Sequence, residues 1–274
     1  MVRRLLGVLT ILILTGGGQA AQADQITLAS TTSTENSGLF AHLLPLFEVE
    51  TGIQVRVIAV GTGQAIRLAR NGDADVLLTH HRESEERFVA DGFGVRRLPV
   101  MYNDFVIVGP AADPARVGTS ETAADALGRI ARAEQPFASR GDESGTHRAE
   151  ISLWARAGGK PATRQNWYRE MGSGMGATLN AAVAMGAYTL SDRATWTSFA
   201  NKGGHRILFE SDPALFNQYA VIRVNPERHP HVKAGAAKRF IDWLISAEGQ
   251  AAIASFRLAG RQVFFPNARR LPKS

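Results

Sequence analysis

The sequence predicts an α/β chain folded as two lobes that are joined by two crossing strands. Two observations carry this expectation. Strand-like and helix-like segments alternate through the first hundred residues, the order of an α/β unit with a largely parallel sheet. Two strands, closing in Gly109-Pro110 and Asn225-Pro226, then bracket a middle segment of domain size.

The elements follow in chain order. The 274-residue chain opens MVRRLLGVLTILILTGGGQAAQA. Arg3 and Arg4, an apolar run from Leu5 to Leu14, and Ala21-Gln22-Ala23 give the charge, apolar core and A-x-A order of a secretory signal peptide. Residues 1–23 are therefore expected to leave the mature chain, which would begin at Asp24. The run is too short to anchor the protein, since a spanning helix needs roughly 20 apolar residues. Arg3-Arg4 also leaves a twin-arginine export signal open.

"QITLAST" (25–31) alternates and ends in hydroxyls, as a strand does on entering a loop. "SGLFAHLLPLFEVETG" places Leu39, Phe40, Leu43, Leu44 and Phe47 at helical spacing and stops near Gly52. "IQVRVIAV" returns to period two, "GTGQAIRLARNG" is helical, and "ADVLLTH" is a short apolar strand. "NDFVIVGP" (103–110) is a strand, and "TAADALGRIARAE" after it is an amphipathic helix. Two more alternations follow, "PFASR" into "SGTHRAEISLWARAG" and "GSGMGATLNAAVAMG" into "AYTLSD". "FNQYAVIRVNP" (216–226) is the second strand ending in proline, and "VKAGAAKRFIDWLISAEGQAAIASF" is helical. The expected lobes are 24–105 plus 215–274, and 106–214.

Composition narrows the function. There is no cysteine, which removes a lipid-modified cysteine, disulfides, thiolate metal sites and a thiol nucleophile. A bacterial periplasm suits such a chain. There are 31 basic residues, two of them Arg3 and Arg4, and 25 acidic ones, so the mature chain carries a formal charge of about +4. These charges are scattered, not gathered into a basic stripe with interleaved aromatics, which argues against nucleic acid. No later segment is apolar enough to make this an integral membrane protein.

Four turns share one design, in which hydroxyl or glycine residues follow a strand and precede a helix. They are "STTSTENSG" (30–38), "VGTGQA" (60–65), "SRGDESGTH" (139–147) and "GSGMGATL" (172–179). The first N–H groups of a helix lack partners inside it and its macrodipole is positive there, so each turn is a potential anion seat.

The third turn also holds Ser144, His147 and Asp142, which invites a serine hydrolase. A triad needs its imidazole between nucleophile and acid, and on a helix starting at Gly145 His147 is poorly stationed for that. No G-x-S-x-G elbow and no P-loop pattern occurs, and "GTGQAI" has Ile66 where a dinucleotide fingerprint needs glycine. His80-His81 and His229/His231 lack the spacing of metal ligands and read as surface or packing residues. What remains is an anion cradle. Arg140 offers a planar fork of donors, Ser144, Gly145 and Thr146 add hydroxyls and amides, and Asp142 takes a positioning role. A surface ion pair of Arg140 with Asp142 or Glu143 is the plainer alternative.

At these residues the chain resembles the tungstate-binding periplasmic proteins of ABC transporters, which have the type II periplasmic binding fold. The resemblance rests on "STTSTENSGL", "VGTGQAIRLARNGDADVLLTH", "MYNDFVIVGP", "FASRGDESGTH", "WYREMGSGMGATL" and "AYTLSDRATW", spread over about 28–197. The family more often has glycine at the position of Ala194. It implies two α/β lobes with the ligand in the cleft between them, and delivery to a membrane permease with an ATPase subunit. Carried over by motif, Thr31, Thr32 and Ser33 bind from the first turn, Thr62 and Gly63 from the second, and Arg140, Ser144 and Thr146 from the third. Arg193 in "SDRATW" is a further candidate, against an ion pair with Asp192.

The expected function is non-enzymatic capture of a tetrahedral oxyanion in the periplasm, tungstate first and molybdate second. No cofactor and no protein-bound metal ion is expected, because the metal arrives as its oxyanion. A phosphate-binding transport protein is the alternative, followed by a secreted serine hydrolase using Ser144 and His147, and then by an adhesion or assembly module.

Overall fold

The computed structural model describes residues 24–159, 161 and 165–268. The signal peptide expected over residues 1–23 lies outside them. The element order is β1 (Gln25–Thr31), α1 (Thr32–Asn36), α2 (Leu39–Thr51), β2 (Gln54–Val60), α3 (Thr62–Asn71), β3 (Val76–Thr79), α4 (Arg82–Ala90) and β4 (Gly94–Pro110). There follow α5 (Ala123–Arg132), β5 (Phe137–Ser139), α6 (Gly145–Arg156), β6 (Tyr168–Glu170), α7 (Met175–Met185), β7 (Thr189–Asp192), α8 (Arg193–Ser198) and β8 (His205–Phe209). The chain closes with β9 (Phe216–Val224), α9 (Ala234–Ile245), α10 (Ala247–Ser255) and β10 (Phe265–Pro266).

The main sheet runs β10-β4-β9-β3-β1-β2, with β7 and β8 pairing to β4 off that path. Within this sheet the pairings β2–β1 and β1–β3 are parallel, whereas β9 pairs antiparallel with both β3 and β4, so the expected largely parallel sheet is mixed. The physical reason is the returning strand β9, which enters between β3 and β4 against their direction.

Period-two alternation assigns the faces. Ile26, Leu28, Val76, Leu78, Tyr219 and Val221 pack with α2 and α9 through Leu39, Phe47, Phe240 and Leu244. Ala29, Leu77, Ile222 and Val224 pack on the other face with Ala65, Ala69 and Phe88. The far end of β4 repeats the pattern against other partners. Phe105 and Ile107 join Leu127, Ile130 and Trp154, whereas Val106 and Val108 join Met175, Leu179 and Trp196.

β4 is longer than the strand read from 103 onward, because it begins at Gly94. Arg96, Arg97 and Pro99 hide its first half, and the register with β9 shifts between Pro99 and Met101, where proline has no N–H to donate. Over Gly94–Asp104 this strand pairs with β9; from Phe105 to Pro110 it pairs with β7 and β8. The C-terminal helical stretch is two helices, parted at Ser246, whose side chain caps α10 by accepting the Gly249 N–H at 3.2 Å.

Candidate anion site

The parallel trio explains why distant parts of the sequence meet. In register, Thr31 lies opposite Val60, so the carboxyl ends of β1 and β2 stand side by side, with β3 next to β1. The residues just past those ends are Thr32 and Ser33, Gly61 and Thr62, and His80. Ligands of open α/β sheets gather beyond the carboxyl ends of strands for this reason.

From the other side comes the start of α6. Its residues Ser144, Gly145 and Thr146, with Arg140 ahead of them, complete the wall. Together with Thr31, Thr32, Ser33, Val60, Gly61, Thr62 and His80 they enclose a cavity of about 10 Å³. α1, α3 and α6 all begin at this cavity, after Thr31, Gly61 and Ser144. Three sets of unpaired helical N–H groups thus share one focus of positive potential.

The side chains add to it. Arg140 is 4% exposed, and one of its guanidinium nitrogens, Nη2, donates to Asp142 Oδ2. Asp142 Oδ1 accepts the Ser144 N–H at 3.2 Å, so one carboxylate ties the arginine to the start of α6. Arg140 Nε, Thr62 Oγ1 and Thr146 Oγ1 are buried and have no hydrogen-bond partner. A buried polar atom without a partner costs about 1–3 kcal/mol. Three of them on one small cavity, from two separate turns, fit a ligand that accepts hydrogen bonds. Ser144 Oγ caps α6 by accepting the His147 N–H at 3.2 Å, which leaves its own proton free to donate.

His80 is the wall residue that sequence reasoning placed elsewhere, as surface or packing. It is a packing histidine in part: its ring stacks on Tyr219 with centroids 4.8 Å apart. Its Nδ1 lies 3.0 Å from Asn217 Oδ1, and Asn217 Nδ2 in turn donates to Asn103 Oδ1 at 2.7 Å. Since the amide oxygen accepts, Nδ1 carries the proton. Burial, above all, lowers the imidazole to about 4; the Asn217 bond opposes this and the Arg140 charge adds to it. His80 is therefore neutral at pH 7, and Arg140 supplies the only formal charge among the described wall residues.

Residues 17–248 match the family described as the PBP superfamily domain. The chain belongs to that superfamily. This PBP-superfamily chain is 45% identical over 247 residues to the tungstate-binding protein TupA of Peptoclostridium acidaminophilum, covering 89% of this chain and 86% of that one. It is 38% identical over 241 residues to the tungstate-binding protein TupA of Campylobacter jejuni, covering 86% and 89%. Among solved structures, the tungstate-binding protein TupA of Desulfovibrio alaskensis superposes with a TM-score of 0.81 at 46% identity, over 90% of this chain and all of that one. The structure described as the tungstate ABC transporter from Geobacter sulfurreducens gives 0.78 at 48% identity, over 85% and 98%. The fold is that of type II periplasmic binding proteins.

Seven of the nine residues expected at the site in this PBP-superfamily chain line the cavity: Thr31, Thr32, Ser33, Thr62, Arg140, Ser144 and Thr146. Gly63 stands one residue further into α3 and is not in the wall. Arg193 is elsewhere. It starts α8, where Nε and Nη2 grip Asp104 at 2.7 and 2.5 Å and Nη2 also reaches Glu210 at 2.6 Å. Its expected partner Asp192 instead caps α8, accepting the Thr195 N–H at 2.8 Å. The fourth turn lines a neighbouring cavity of about 470 Å³ through Gly174, Met175, Gly176 and Ala177, shared with Thr32, Ser33 and Arg140. Among the described residues no group of three or more His, Cys, Asp or Glu could hold a metal ion, and no helix is long and apolar enough to cross a membrane.

Proposed function

We propose that this protein is a non-enzymatic, periplasmic solute-binding component of an ABC transporter, and that it captures tungstate, with molybdate as its nearest competitor. The observation that carries this reading is the make-up of the cavity wall. It holds one cation, several hydroxyls and helix-start amides, and no carboxylate among the described residues. Tungstate at neutral pH is a bare dianion with four acceptor oxygens, so a wall of donors answers all of it. Hydrogen phosphate keeps a proton and needs an acceptor, for which a buried carboxylate is best suited. Two of the relatives named above are tungstate-binding proteins, which supports the same choice.

The ligand site takes Thr31, Thr32, Ser33, Thr62, Arg140, Ser144 and Thr146 as donors, with Gly63 close behind. We read the chain as two lobes, 24–105 plus 215–274 and 106–214, with the cavity at their seam. The wall then draws Thr31 to His80 from the first lobe and Arg140 to Thr146 from the second. A cavity of about 10 Å³ has room on the order of one water, so admitting a five-atom oxyanion requires the walls to part and close again. The closed, loaded form is the state a permease with its ATPase subunit would receive.

A hydrolase built on Ser144 and His147 is not supported by their bonding. In a triad the imidazole Nδ1–H donates to an acid, whereas here Nδ1 of His147 accepts the Glu143 N–H at 3.0 Å. Isothermal titration of the mature chain with tungstate, molybdate, phosphate and sulfate tests the proposal. Submicromolar tungstate binding with phosphate far weaker is expected; a phosphate response exceeding that to tungstate would overturn it.

A further inference from the structure

Behind the donors of α6 lies a carboxylate that the binding reading does not use. Glu150 is 1% exposed, one and a half turns into the helix whose first turn carries Ser144 and Thr146. Its Oε1 accepts the Trp154 Nε1–H at 3.1 Å and the Tyr168 hydroxyl at 2.9 Å. The Ser139 hydroxyl and the backbone N–H of Arg140 also face this carboxylate and favour its ionised form. One buried side chain therefore joins α6 to β6 and lies against the end of β5, beside the main chain of the residue that supplies the cavity's charge.

We propose that Glu150 is a proton-linked positioning residue of the anion site, fixing the Arg140 backbone against the first turn of α6 and taking up a proton when a dianion binds. This rests on the tungstate reading above. Burial chiefly raises the Glu150 carboxyl to about 7, against the pull of its hydrogen bonds, so it changes charge near neutral pH. A dianion arriving at Arg140 disfavours a second negative charge behind that arginine. Binding consequently raises the Glu150 value further, and affinity falls as pH rises through about 7.

The other ionisable groups around Glu150 do not mimic this. Tyr168 on β6 is pushed up, first by burial and then by Glu150 itself, and stays un-ionised. Glu170 follows on β6, and Asp192 at the end of β7 is raised by burial and drawn back by its Thr195 bonds and the Arg140 charge. On α5, Asp125, Arg129 and Arg132 pair among themselves. His80 titrates near 4, below the range concerned, and His81 is lowered from its ordinary value, mainly by burial.

The test is calorimetric titration of tungstate into the wild type, Glu150→Gln and Tyr168→Phe between about pH 6.5 and 8.5, in buffers of low and high ionisation enthalpy. Wild type is expected to take up a fraction of a proton per ion and to lose affinity up to about tenfold for each unit by which the ligand raises the Glu150 value. Glu150→Gln should keep its affinity at the acid end within about threefold and lose both the proton uptake and the slope. Tyr168→Phe removes a bond that favours the ionised carboxylate, and should move the midpoint of the slope upward. Absence of proton uptake in wild type, or a wild-type slope persisting in Glu150→Gln, would overturn the proposal even with tungstate bound. No tungstate binding at any pH would instead overturn the reading on which it rests.

Discussion

Gly145 and His80 are packed so closely that no side chain fits between them: a Cβ on Gly145 would lie 2.5 Å from His80 Cε1 and 2.9 Å from Nδ1. The contact joins the start of α6 to the residue after β3, across the seam at which the cavity forms. Gly145→Ala must push the imidazole away from Asn217 or hold α6 off. Tungstate affinity should fall by at least about tenfold, equivalent to roughly 1.4 kcal/mol, while circular dichroism stays unchanged. Unaltered binding in this variant would show that the seam need not close.

Arg140 is the site's charge, and its geometry matters as well as its sign. Arg140→Lys keeps a cation but loses the fork that serves Asp142 and the cavity together. A loss of about 1.5–3 kcal/mol per charge-assisted hydrogen bond predicts roughly ten- to a hundredfold weaker tungstate binding, and Arg140→Ala should be worse. Titration of both variants, beside their thermal midpoints, separates affinity from folding.

Thr62 and Thr146 offer a sharper contrast. Their hydroxyls are buried without partners, so Thr→Val at either position removes no bond from the unliganded protein. The thermal midpoint without ligand should hold or rise slightly, whereas the shift produced by tungstate should shrink. Each lost donor is expected to cost about 1–2 kcal/mol of binding. A destabilised unliganded protein with full affinity would count against both assignments.

His80 gives a pH signature in stability. Its folded value of about 4 lies below the ordinary histidine value of 6.5, so between them the unfolded chain binds more protons. Stability from this residue is complete above 6.5 and is lost as pH falls toward 4, by on the order of 3 kcal/mol. His80→Gln should flatten that part of a plot of thermal midpoint against pH. An unchanged acid limb would assign the acid sensitivity to other groups.

Arg193 should behave differently from Arg140. Its guanidinium is spent on Asp104 and Glu210, which hold its proton more firmly than usual. Arg193→Ala is expected to lower the thermal midpoint by a few degrees and to leave the equilibrium affinity for tungstate within about threefold, since a lost ion pair of this exposure contributes modestly. A loss as large as that of Arg140→Ala would return Arg193 to the ligand site.

Much of this was legible because the pattern was periodic. β1 and β2 alternate, β3 is a short apolar run, and α2, α5 and α6 show their apolar spacing, so the α/β order and three of the anion turns could be read directly. α1 could not, since "TSTEN" is polar and only five residues long. The first half of β4 was masked by its arginines and Pro99, and the antiparallel return of β9 has no local signature. His80 was missed for an instructive reason. It occupies the same place after β3 that Thr32 holds after β1 and Gly61 after β2, and reading strand ends by position instead of by hydroxyl content would have found it. Gly63 and Arg193, carried over by motif resemblance like the other site residues, lie outside the wall, because resemblance preserves neighbourhood in sequence but not which residues line the cavity.

β4 changes partners without interruption. At Asp104 it is still bonded to β9, and at Phe105 it is bonded to β7, with Arg193 gripping Asp104 beside the change. Any swing between the two sides of the molecule must therefore be absorbed as twist distributed along a continuous, hydrogen-bonded ribbon. Mechanically this is a leaf spring and not a pin joint. Its restoring force grows with angle, and its slow-exchanging amides should persist through opening, where a loop hinge would leave a gap in protection.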